Sequence, residues 1–270
     1  MKNLIILIIA IVSVNSFANC DDLYERRGES LSTLKLGKQC LKDLIATSNL
    51  SKDLKGEAIS DLSYLMFFEA EYYLDNDEDK MLAALNKAKE GAEIFGELND
   101  FRVYRKLSQA EQAALAEALY NFGTITARYI DLKGKWEAIK RMGDIKKPMS
   151  SVIRLKQQEY AHYGAHRTLA IFYLKVPGIA GGSIEKSKEF FDVVMKQTTD
   201  ATGLSSYPLN NMVYADYLFE VDKDKEACAQ LAMVKNLTAA DIAKLDNGFE
   251  FETGEQVKEA ARRFAANKCQ

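Results

Sequence analysis

The spacing of apolar residues constrains this chain most. Over residues 57–74 they fall at Ala58, Leu62, Leu65, Met66, Ala70 and Tyr73. Residues 79–97 repeat the pattern with Leu82, Leu85, Ala88, Ala92 and Phe95, and residues 111–130 with Ala114, Ala118, Leu119, Phe122, Ile125 and Tyr129. Steps of three and four put such residues on one face of a helix, whereas a half-buried strand alternates with a period of two. Similar runs cover 150–175, 183–197, 208–220, 222–236 and 253–267, and alternation is sustained nowhere. Only three prolines interrupt 270 residues, so few helices are broken from within. The spacing predicts an all-α chain.

The predicted helices come in similar pairs. Asp79-Lys80 precedes Ala83-Ala84, Glu185-Lys186 precedes Ser187, and Asp224-Lys225 precedes Ala227. Each start follows a helix with tyrosines (Tyr72-Tyr73, Tyr173, Tyr217) and a polar or glycine-rich turn. A helix pair recurring about every 34 residues is the layout of tetratricopeptide-like helix–turn–helix repeats stacked as a compact α-solenoid. Stacked repeats share a continuous core, so one domain is expected over residues 19–270. Small residues such as Ala88, Ala92 and Ser187 allow paired helices to approach closely. Residues 131–149 interrupt the pattern. They carry Lys133, Lys135, Lys140, Arg141, Lys146 and Lys147 against Asp131, Glu137 and Asp144, and read as an irregular basic insertion. Trp136 lies within it, and an aromatic side chain there can anchor a partner.

The first 18 residues read as an address. Lys2 is followed by an unbroken apolar run from Leu4 to Val12 and then Ser16-Phe17-Ala18, the form of a signal peptide cleaved after Ala18. The run is shorter than the ~20 residues of a membrane span. Cleavage removes Lys2 and takes the formal net charge from −3 to −4. The expected location is the periplasm or the exterior. The alternative is a lipoprotein anchored at Cys20, for which Phe17 and Asn19 are poor flanking residues. Four cysteines remain: Cys20, Cys40, Cys228 and Cys269. An even number in an exported chain favours disulfides, and proximity pairs Cys20 with Cys40 and Cys228 with Cys269. Loops of this size stabilise by about 3–4 kcal/mol each in the chain-entropy account. Four buried thiols are the other reading.

Acidic balance and low histidine content narrow the function. A net charge of −3 does not suit a nucleic-acid binder. The two histidines, His162 and His166, are four apart, which on a helix places both on one face and within reach of one metal ion. A zinc protease would need glutamate after the first, where this chain has Tyr163. Arg167 sits in an apolar run and calls for a carboxylate partner or an anionic ligand in a groove. Tyr163 and Tyr173 are further ligand-binding candidates. Gly178–Ser183 lacks the Gly-Lys-Ser/Thr of a phosphate loop, so Ser183 reads as a helix cap and Pro177 as a helix stop. No Gly-x-Ser-x-Gly and no cofactor motif occurs. The residues favour a binding protein without chemistry of its own, one that takes a partner protein and a small apolar or anionic ligand. A metal-dependent envelope enzyme using His162 and His166, or a purely structural scaffold, is the alternative.

The most distinctive run is Tyr163-Gly164-Ala165-His166-Arg167-Thr168-Leu169, followed by Pro177 and Gly181-Gly182-Ser183-Ile184-Glu185-Lys186-Ser187, and later by Tyr214-Ala215-Asp216-Tyr217. It resembles the T-component family associated with TRAP transporters, over about residues 55–235 and most sharply over 163–187. The resemblance implies degenerate tetratricopeptide repeats and a periplasmic protein that partners a substrate-binding subunit. It also implies a ring-like homotrimer with a ligand-sized channel in each subunit. Members are often lipoproteins, and the leader here departs from that pattern.

Overall fold

A computed structural model of the protein describes residues 19–47, 49–96, 104–245 and 248–269. The expected signal peptide and its cleavage site lie outside them. The described residues are all-α, with one isolated bridge, Thr199 to Ser205. Their contacts divide the chain into two compact units, meeting between Gln157 and Gln158.

The first unit holds α1 (Leu31–Ile45), α2 (Lys52–Phe68), α3 (Glu78–Glu93), α4 (Gln109–Lys133) and α5 (Lys135–Arg154). Polar caps fix where they start. The Ser30 hydroxyl accepts from the Thr33 amide, the Asp77 carboxylate from the Lys80 amide, and Ser108 and Glu111 form a reciprocal capping box. Each satisfies a backbone donor the helix cannot, at about 1 kcal/mol per cap. A π-turn, Glu69–Tyr73, ends α2. Helices α2 and α3 pack as a hairpin against α4, around Ala70, Met81, Leu85, Ala88, Phe122 and Ile125.

The basic stretch expected to be irregular is instead a regular helix, α5. Gly134, at φ +84°, reverses the chain after α4, and α5 packs back along α4. Ile145, Met149 and Val152 are buried. Met149 fills the space left by Gly123, where a Cβ would lie 2.3 Å from its methyl carbon. Two signals misled the sequence reading. Charge crowds the N-terminal half, and Pro148, which usually breaks a helix, sits inside this one.

The second unit holds α6 (Tyr160–Lys175), α7 (Ile184–Thr198), α8 (Leu209–Glu220), α9 (Asp224–Lys235), the short α10 (Ala239–Leu245) and α11 (Glu250–Ala266). Helices α6–α7 and α8–α9 are the two remaining repeat hairpins, and α11 lies on α9. Ser187 is fully buried and donates to the Ala170 carbonyl at 2.9 Å, so a small polar residue draws α6 and α7 together. Phe191, Met212, Leu218, Leu231 and Val234 form the core; a buried phenylalanine contributes about 2–3 kcal/mol. Gly182 makes the α6–α7 turn possible, since a Cβ there would lie 1.6 Å from the Val176 carbonyl oxygen. Ser183 caps α7 through the Lys186 amide. The two expected disulfides, Cys20–Cys40 and Cys228–Cys269, are the pairs formed.

Candidate functional site

The distinctive run around Arg167 folds into a buried polar knot. Its backbone starts unusually. Ala161, His162 and Tyr163 have φ of 49°, 53° and 61°, three consecutive left-handed residues, none of them glycine. Each costs about 1–2 kcal/mol, so the surroundings must hold the turn. Arg167 does so. Its Nη1 donates to the Ala161 carbonyl at 3.3 Å and to Asn210 Oδ1 at 2.8 Å. Its guanidinium stands 4.9 Å from the Tyr207 ring centre. Only 3% of Arg167 is exposed.

Asn210 extends the knot. Its amide donates to Ser205 Oγ at 3.0 Å, to Thr198 Oγ1 at 3.2 Å and to the His162 carbonyl at 3.4 Å. Neighbouring Asn211 accepts from the Ser205 amide at 2.8 Å and donates to the Gly203 carbonyl and to Gln230. Both asparagines are fully buried. They bind the start of α8 to the 199–207 loop and to α6. Sequence reasoning passed over them; the available signal was two adjacent amides at the start of an apolar helix.

The left-handed turn separates the two histidines. His162 turns to Ser206, with Nδ1 3.0 Å from Oγ, and stacks on Tyr207 at 5.5 Å, edge-on to Phe249. His166 lies in the regular part of α6, against Tyr163 and Phe190. Burial holds its pKa below the ordinary histidine value, and its Nδ1 has no hydrogen-bond partner. The expectation that both share one helical face is therefore corrected, because a right-handed spacing rule does not cross a change of hand. No set of three metal-ligating side chains forms among the described residues.

Tyr173 stacks flat on Phe190, 5.8 Å between ring centres, with Lys186 5.3 Å from its ring. It borders a shallow pocket of about 390 Å³ at the α6–α7 turn, with Val176, Pro177, Ser183, Ile184 and Glu220. Thus α6 carries five of the six candidate binding residues, and they are largely committed to one another and to the protein. Trp136 belongs to the other unit, on α5, and is 81% exposed.

The first unit has its own polar feature. Asp61 on α2 and Glu117 on α4 hydrogen-bond each other. Burial, with Glu117 beside it, pushes Asp61 well above the usual carboxylate range. Burial, reinforced by Glu57, pushes Glu117 up to about 7. Two carboxyls this close hold a proton between them.

Paired helices stacked side by side, one pair braced by a buried polar knot, define a helical-repeat protein. The model of the TRAP transporter T-component family matches residues 74–246, more than half of the chain, and the chain belongs to that family. A search of the curated proteins finds no match.

Proposed function

We propose that this protein works outside the cytoplasm as an accessory of a TRAP-type transport system, docking the substrate-binding subunit and performing no chemistry itself. Family membership over residues 74–246 carries the reading, since it implies a transport accessory with protein partners. Two disulfides fit an oxidising compartment, and no described helix is long and apolar enough to cross a membrane. Cys20 bears on anchoring. Its Sγ is bonded to Cys40, and a lipid thioether would need that same sulfur. We therefore favour release after Ala18 over a lipoprotein anchored at Cys20.

Co-purification from an envelope fraction tests the role. The tagged chain should retain the substrate-binding subunit at low salt; recovery of the tagged chain alone would defeat it. Mass spectrometry of the mature protein should find Asn19 first and a bridged Cys20. The homotrimer implied by the resemblance is checked by light scattering on the purified chain, where a monomer mass would remove it.

A further inference from the structure

Helix α5 has two faces with different fates. Ile145, Met149 and Val152 are buried on the side packed against α4. Trp136, Ile139, Lys140, Gly143, Lys146 and Lys147 are all exposed. Their steps of three and four align them as one stripe. Trp136 is 81% and Ile139 56% exposed. A Cβ on Gly143 would meet nothing within 4 Å, so the middle of the stripe is low and open to a close-approaching backbone. The stripe carries three lysines and no acid. Glu137 and Asp144 lie off it and turn to Arg141, at 2.5 and 3.8 Å, although Lys140 also comes within 3.7 Å of Glu137.

We propose that this stripe is where the protein partner docks, and that the partner offers an apolar slot rimmed by carboxylates. The proposal rests on the accessory role above and gives it a location. Trp136 supplies the kind of side chain that dominates interface energies when it becomes buried. Lys140, Lys146 and Lys147 complement acidic groups and steer the encounter. A bilayer fits less well, because a surface-lying helix inserts a broad apolar face and that of α5 is already spent on α4.

The test is calorimetric titration of the full mature chain with the purified substrate-binding subunit of the same transport system, at two salt concentrations. Wild type should bind. Trp136→Ala with Ile139→Ser should weaken binding about ten-fold or more. Lys140→Glu with Lys146→Glu and Lys147→Glu should weaken it and flatten its salt dependence, while Lys196→Glu, an exposed lysine on α7, should change nothing. Circular dichroism confirms folding of each variant. If the stripe variants bind as wild type does, the stripe is overturned and the accessory role stands. If wild type does not bind, both fall. Binding of wild type to phosphatidylglycerol vesicles, lost in the stripe variants while subunit binding persists, would overturn the proposal in favour of a lipid-facing surface.

Discussion

Ala161 occupies a backbone region that a Cβ disfavours, at φ 49°. Glycine enters that region without penalty. Ala161→Gly should therefore stabilise the protein by about 1 kcal/mol, contrary to the usual cost of glycine in a helix, and urea unfolding would reveal a loss instead if the turn were right-handed. Asn210→Ala should act oppositely. It would strip buried Arg167, Ser205 and Thr198 of a shared partner, at about 2–3 kcal/mol, read as a lower urea midpoint at unchanged slope. These residues show what sequence conveys at this scale. Pro177 and Ser183 were legible because a helix stop and a cap act over three or four residues. The knot was not. Arg167 meets Asn210 across 43 positions, and polar pairings over that distance leave no spacing to read. His162 was misplaced because a spacing of four marks one face only where the helix stays right-handed, and residues 161–163 are left-handed.

At the scale of elements, the Asp61–Glu117 contact should make the stability of the α2–α4 packing depend on pH. Native Glu117 keeps its proton up to about 7, whereas its ordinary pKa is 4.5. Between those values the folded chain binds more protons than the unfolded one. Stability from this group is thus complete below pH 4.5 and is lost as the pH rises through about 7. Glu117→Gln should raise stability by less than about 1 kcal/mol at pH 5 and by roughly 3 kcal/mol at pH 8. Thermal melts at the two pH values decide it, and an equal shift at both would exclude a titrating pair. The repeat hairpins α2–α3, α6–α7 and α8–α9 were readable from their matching starts, since each junction repeats one local solution. Helix α5 was obscured because its apolar contacts, Ile145, Met149 and Val152, fall beside and beyond Pro148, after the charged half had already suggested a loop.

For the whole molecule, each disulfide lies within one unit. Cys20–Cys40 closes onto α1, and Cys228–Cys269 ties α9 to the chain beyond α11. Replacing Cys228 and Cys269 by serine should cost about 4 kcal/mol, confined to the second unit. Hydrogen exchange followed by mass spectrometry should show faster exchange in peptides from 158–269 and none of that change in 19–157. A uniform increase would mean that the two units unfold as one. Helix content was legible because it follows from local spacing, and cysteine pairing because only four cysteines had to be matched. The clustering of contacts into two units was not, because the same periodicity runs through both.

Considered only as a graph of covalent bonds, the chain is two small rings joined by a thread with no crossing between Cys40 and Cys228. A single protease nick on that thread, at exposed Lys156 for example, yields two pieces on a denaturing gel without reductant. A nick inside either ring leaves one band until reductant is added.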